Sequence, residues 1–139
     1  MKKVTSVFLG AIFAFVTASV AAEPNDIKAA TIGAERWAAQ LDQNHYETTW
    51  ASAAQIFKNA VPQAQWSQVI SGVRGPLGRV LERRLQTAEL KTSLPGAPDG
   101  RYVLIQFQTR FENKKEAVET IVPMLEKDGQ WRVSGYFIR

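Results

Sequence analysis

Residues 101–138 read RYVLIQFQTRFENKKEAVETIVPMLEKDGQWRVSGYFI, and this stretch decides the fold. Val103, Ile105, Phe107 and Phe111 alternate with Gln106, Gln108 and Arg110. That period of two belongs to a strand with one buried face. Segments 117–126 and 130–138 continue a meander. Asp128-Gly129 is a favoured two-residue hairpin turn. It pairs Lys127 with Gln130, hence Met124 with Val133 and Val122 with Gly135. Asn113-Lys114 serves the preceding hairpin and pairs Ile105 with Val122 and Val103 with Met124. Both registers gather Val103, Ile105, Phe107, Val118, Val122, Met124, Trp131, Val133 and Phe137 on one face, so turn chemistry and side-chain pattern agree. The opposite face collects Tyr102, Leu104, Gln106, Gln108, Glu119, Ile121, Leu125, Arg132, Tyr136 and Ile138. This mixed surface suits a partner.

Upstream of the meander the pattern changes. Residues 93–100, with two prolines and two glycines, read as a loop, and 79–90 as a strand with poor alternation. Arg74-Gly75-Pro76-Leu77-Gly78-Arg79 ends a helical half. Within that half Ile27, Ala30, Ala34, Trp37, Ala38 and Leu41 recur at helical spacing, and Asn44 tolerates the left-handed backbone of a helix stop. A second helix carries Tyr46, Trp50, Ala53 or Ala54, and Phe57. A third begins near Pro62 and carries Trp66, Val69, Ile70 and Val73. The expectation is an α+β domain, about three N-terminal helices packed on one face of a four-stranded antiparallel sheet.

The N-terminus reads differently again. Met1-Lys2-Lys3 is a positive start, Val7 to Val16 an apolar run, and Val20-Ala21-Ala22 a small-x-small cleavage site. The run is shorter than the ~20 residues of a spanning helix. Residues 1–22 therefore read as a cleavable signal peptide and 23–139 as one domain. The chain has no cysteine, which excludes a lipid-anchored lipoprotein and any disulfide. Of the formal net charge of +4, Lys2 and Lys3 carry two. The mildly basic remainder does not suggest nucleic acid. The sequence predicts a periplasmic or secreted protein with no membrane anchor after cleavage.

Several landmarks carry a resemblance along almost all of residues 23–139. They are Trp37; Asp42, Tyr46 and Trp50; Phe57 and Trp66; Arg74-Gly75-Pro76-Leu77-Gly78; Leu94-Pro95-Gly96 and Pro98-Asp99-Gly100; Glu119-Thr120; and Asp128-Gly129-Gln130-Trp131-Arg132-Val133-Ser134-Gly135-Tyr136-Phe137-Ile138-Arg139. Together they make the chain similar to a family of exported bacterial proteins described as a domain of unknown function. Asn44 stands where that family usually has glycine. The resemblance implies no activity, cofactor or catalytic residue. It does imply an architecture similar to the cone-shaped, cystatin-like fold of ketosteroid isomerase and nuclear transport factor 2. That fold hosts enzymes, ligand binders and interaction modules alike.

Each candidate residue has a chemical and a structural reading. Asp42, four residues before Tyr46, is either a proton-transfer acid beside a tyrosine or the cap of the following helix, and the cap is favoured. Glu119 sits mid-strand between apolar residues. It is either a functional acid or half of a cross-strand polar pair with Gln108, diagonal to Arg110. His45, the one histidine, reads as a surface residue. One histidine without cysteine argues against zinc. Arg74, Arg79, Arg83 and Arg84 surround the Gly-Pro loop. Arg74, Arg79 and Arg84 are the anion candidates, and the alternative is a solvated basic edge. Trp37, Tyr46, Trp50, Phe57, Trp66 and Trp131 either line an apolar pocket or fill the core. No nucleophile elbow, phosphate loop or dinucleotide fingerprint occurs. The first expectation is a non-catalytic module of the cell envelope binding a protein partner, or a second copy, through Tyr102, Leu104, Ile121, Leu125, Tyr136 and Ile138. The alternatives are a binder of small apolar ligands with an aromatic cavity between helices and sheet, and an isomerase-like enzyme built on Asp42 and Tyr46.

Overall fold

The computed structural model describes residues 24–139. The expected signal peptide lies outside the described residues. Helix α1, Pro24–Asp42, is followed by α2, Tyr46–Ala51; α3, Gln55–Ala60; and α4, Gln63–Arg74. A 3-10 turn, Gly75–Leu77, leads into β1, Val80–Lys91; β2, Tyr102–Phe111; β3, Lys114–Leu125; and β4, Trp131–Ile138. The strands form one antiparallel sheet in chain order, with β1 and β4 at its edges. The protein is α+β, as its pattern predicts, with four helices among the described residues rather than three.

Helix α1 buries the stripe Ala30, Ala34, Trp37, Ala38 and Leu41 against the sheet. The three alanines let the helix approach closely, and Trp37 fills the space left over. Asn44 ends the helical path with φ 62°, the left-handed conformation for which asparagine is suited. The expected second helix is broken between α2 and α3. There the Ala54 N–H leaves the helical pattern and donates to Val133 O at 2.8 Å. This bond ties the break to edge strand β4.

Strand register differs from the sequence reading by one residue. The turn between β2 and β3 is Glu112-Asn113, closing Phe111 on Lys114, and an irregularity follows before Thr109. Ile105 consequently pairs with Ile121, and Phe107 with Glu119. In the second hairpin Leu125 pairs with Trp131 and Met124 with Arg132. A bulge between Val122 and Pro123 then restores the expected pairing of Val122 with Gly135. One residue of slip moves every side chain of a strand to the other face. Ala117, Glu119 and Ile121 therefore face the helices in place of Val118, Val122 and Met124. Tyr136 joins them, and Phe137 turns outward to 62 % exposure. Strand β1 carries two irregularities of its own, between Val80 and Glu82 and between Leu85 and Thr87, which explain its poor alternation.

The core lies between helices and sheet. Trp37 packs on Trp66 and Tyr136 with ring centroids 6.0 and 5.5 Å apart, and Phe57 meets Trp66 edge-on at 4.9 Å. Such buried aromatic contacts add about 1 kcal/mol each beyond their area. The indoles keep their polar atoms satisfied. Trp37 Nε1 donates to Thr49 O, Trp66 Nε1 to Thr49 Oγ1, and Trp50 Nε1 to Val61 O. Trp37, Phe57 and Trp66 therefore fill the interior by packing on one another and on the helices, with Tyr46, Trp50 and Trp131 partly buried against them.

Candidate functional site

The corrected register brings an acid and its partners into the core. Glu119 is fully buried on the helix-facing side of β3, directly across from Phe107. It does not meet Gln108 or Arg110. Thr109, next on the same face of β2, donates to Glu119 Oε1 at 2.5 Å, and Tyr136 on β4 donates to Oε2 at 2.5 Å. Arg83 on β1 adds Nε to Oε1 at 2.8 Å and Nη2 to Oε2 at 3.2 Å. A carboxylate buried without such donors would be strongly disfavoured. Here donors come from the three other strands of the sheet.

Arg83 also reaches the helical layer. Its Nη1 donates to Asp42 Oδ2 at 2.7 Å and its Nη2 to Asp42 Oδ1 at 2.9 Å. Arg74, at the end of α4, donates from Nη2 to Asp42 Oδ1 at 2.7 Å. The Arg74 guanidinium is buried, lies over the Phe111 ring at 5.0 Å, and sits 4.0 Å from Glu119 Oε2. Its Nε and Nη1 have no hydrogen-bond partner among the described residues. Two arginines and two carboxylates thus form a neutral cluster joining α1, α4, β1 and β3.

Electrostatics follow from this packing. Burial alone would raise Asp42, but hydrogen bonds and charge from Arg83 and Arg74 outweigh it and hold the carboxyl below its ordinary value. Burial pushes the Tyr136 phenol far up. The Glu119 charge adds to this, while Arg74 and Arg83 offset only part. At neutral pH Tyr136 is protonated and donates its hydrogen to Glu119.

The sequence candidates separate accordingly. Asp42 does not cap α2. The N-cap is His45, without a side-chain cap bond, and Asp42 turns toward the arginines instead. Tyr46 donates its hydroxyl to Asn44 Oδ1 at 2.8 Å, away from Asp42. His45 is exposed, with Nδ1 2.8 Å from Gln40 Oε1. Arg79 is exposed and held by Glu112 at 2.6 Å, and Arg84 lies 3.6 Å from Glu82. Arg79 and Arg84 are therefore each matched by an acid, Arg74 and Arg83 share Asp42, and Arg74 and Arg84 do not share a site. Thr109 was missed as a site residue, and Arg83, grouped by the sequence with the arginines around the loop, instead points inward to Glu119 and Asp42. The signal for Thr109 was its place on an apolar stripe between Phe107 and Phe111.

The outer face also differs from expectation. Ile121 and Tyr136 belong to the helix side, and Tyr102 is buried, its hydroxyl donating to Pro98 O at 2.6 Å. Leu104 stays on the outer face, while Leu125 and Ile138 are half-buried near the strand ends. Part of that face is roofed. An open cleft of about 470 Å³ is lined by Ile56, Phe57, Ala60 and Val61 of the α3 region and Leu94, Pro95 and Ala97 of the β1–β2 loop. Its floor includes Leu104, Val122 and Phe137, and no charged residue lines it. A second depression of about 440 Å³ carries Trp37 and Trp131 at its wall, together with Arg36 and Arg132. Among the described residues no three His, Asp or Glu side chains converge on a point that could hold a metal.

A family model described as a protein of unknown function (DUF4019) matches residues 33–136. The chain belongs to the DUF4019 family. Comparison with curated proteins gave no match. The matched span of the DUF4019 domain contains the whole Asp42–Arg74–Arg83–Thr109–Glu119–Tyr136 cluster and nearly all of the apolar cleft, Phe137 alone lying one residue past it.

Proposed function

We propose that this DUF4019 domain is an exported, non-catalytic binding module of the cell envelope that holds an uncharged apolar ligand in the cleft between α3, the β1–β2 loop and the outer sheet face. The observation that carries the reading is the cleft itself, about 470 Å³ of apolar-lined space open to solvent. That volume falls within the range of small-molecule sites. Its lining has no charged group to compensate a buried ion, so it selects neutral groups. Export rests on the leader pattern of residues 1–22. Helices laid across one face of a bulged antiparallel sheet support the cone-shaped architecture, with the interior filled by Trp37, Trp66 and Tyr136. Proton transfer by Asp42 and Tyr46 gains no support, because each is engaged by a different partner.

The neutral fluorophore N-phenyl-1-naphthylamine tests the reading. Its emission should rise and shift to the blue on titration with the protein. Leu104→Lys, which places a charge on the cleft floor, should abolish the response while leaving the melting temperature near that of the wild type. No response from the wild type, or an equal response from a folded Leu104→Lys variant, refutes the assignment.

A further inference from the structure

Strand β1 is a free edge. It runs for 12 residues, Val80–Lys91, and among the described residues it pairs only with β2. An edge of that length presents unpaired backbone donors and acceptors to any complementary strand. Leu81 and Leu85 on it are 52 % and 50 % exposed. The pairing with β2 fixes which residues share a face. Glu82, Arg84, Thr87, Glu89 and Lys91 oppose Arg110, Gln108, Gln106, Leu104 and Tyr102, all on the outer side. The bulge at Gln86 carries this alternation across the middle of the strand, so the outer stripe reads acid, base, neutral, acid, base.

That order is self-complementary when reversed. We propose that β1 is the interface of a homodimer in which two copies pair antiparallel about a two-fold axis between Gln86 and Thr87. The arrangement sets Glu82 opposite Lys91 and Arg84 opposite Glu89, each twice by symmetry. On the helix side it sets Leu85 beside Ala88 and Arg83 beside Leu90. Faces match along the strand because the bulge of one copy meets the bulge of the other. Registers offset by two residues oppose Glu82 to Glu89 or Arg84 to Lys91, like charges that disfavour them. The result is a continuous eight-stranded sheet with both β1 edges removed and Leu85 covered. This interface is separate from the apolar cleft, so the two can fail independently.

Charge reversal tests the register. Sedimentation velocity should show the wild-type protein in a concentration-dependent monomer–dimer equilibrium. Arg84→Glu places acid against acid, and Glu89→Arg places base against base. Each should weaken the dimer on the order of tenfold, as two symmetric cross-strand pairs turn from attractive to repulsive. Both positions are exposed, so circular dichroism should show each variant folded. Mixing the two single variants should restore dimer, because one copy then carries acid at both positions 84 and 89 and the other carries base at both, so both symmetry-related contacts set acid against base and the heterodimer outcompetes either homodimer. Repulsion within one strand cannot produce that rescue. A wild type monomeric at all concentrations overturns the proposal. So does a dimer insensitive to either reversal, or single variants that stay monomeric when mixed.

Discussion

Glu119→Gln isolates what the buried charge contributes, because it preserves volume and one acceptor oxygen. In the native core Glu119 accepts from Thr109, Tyr136 and twice from Arg83. The amide keeps an acceptor for Thr109 and Arg83 Nε. Its NH2 group then faces two donors, the Tyr136 hydroxyl and Arg83 Nη2. The hydroxyl can rotate to accept, but Arg83 Nη2 keeps only Asp42. A hydrogen bond to a charged group contributes roughly 1.5–3 kcal/mol and a neutral one about 1 kcal/mol. One charged bond, that from Arg83 Nη2, is lost while Thr109 and Tyr136 keep neutral ones, so the substitution costs about 2–3 kcal/mol, below the ~3–5 kcal/mol of breaking a buried pair outright. For a domain of this size 1 kcal/mol is worth about 4 °C, so the melting temperature should fall by about 10 °C. Thermal denaturation followed by near-ultraviolet circular dichroism, which reports the packed Trp37 and Tyr136 rings, measures it. Tyr136→Phe supplies the control. Its cost in the Glu119→Gln background should be at least about 1 kcal/mol smaller than in the wild type, since the two residues share a bond. A fall of under about 2 °C, or strict additivity of the two substitutions, would refute the claim that this cluster braces the fold.

Two further perturbations follow from the same geometry. Asp42 titrates below its ordinary 3.8, so the unfolded chain binds the proton first. Its stabilising contribution is complete above that value and drains away as pH falls through and below it. Tyr136 titrates above its ordinary 10.0, so its contribution is complete below that value and is lost as pH climbs beyond it. Urea midpoints measured across pH should fall at both ends. Asp42→Asn should flatten the acid limb and Tyr136→Phe the alkaline limb, and an unchanged limb in either variant contradicts the corresponding shift. Gly78→Ala tests the loop before β1. Gly78 has φ 75°, and an added Cβ would lie 3.0 Å from Glu112 Cβ, an atom held close to the backbone, so no movement of a flexible tip relieves it. We expect a loss of about 1–3 kcal/mol in chemical denaturation, and a loss within error would show that the loop adapts.

The elements were legible in the sequence wherever a period ran unbroken. The stripe from Ile27 to Leu41, the alternation from Val103 to Phe111 and the stop at Asn44 all stand as read, because helix and strand periods are local properties. Register was not local. Placing the first turn at Asn113-Lys114 instead of Glu112-Asn113 moved β3 by one residue, which hid Glu119 from Tyr136 and Thr109 and left Ile121 on the wrong face. Bulges compounded the slip. The one between Val122 and Pro123 flips the facing of β4 midway, and those in β1 mask Arg83 as an inward residue. A bulge depends on which strand lies alongside, so no window along one strand discloses it. The cleft was hidden for a similar reason, since α3 and the loop carrying Leu94, Pro95 and Ala97 meet only in three dimensions.

These two surfaces are connected through the polar cluster. Arg83 projects inward from β1, and its bonds to Asp42 and Glu119 fasten that edge strand to α1 and to β3 at once. An edge so anchored can be presented to a second copy without peeling from its own sheet, and an inward arginine held by two carboxylates cannot slide by one residue without breaking both. The same fastening holds β2 and β3 in the register that puts Leu104 and Val122 on the cleft floor. Buried ion pairs contribute little net stability compared with apolar packing, and in some proteins they specify one arrangement over its neighbours. All three strand pairings carry an irregularity, so register is set across the strands and not by alternation along one of them. The bonds of the cluster are made in this register, the one on which both the cleft and the proposed edge interface depend.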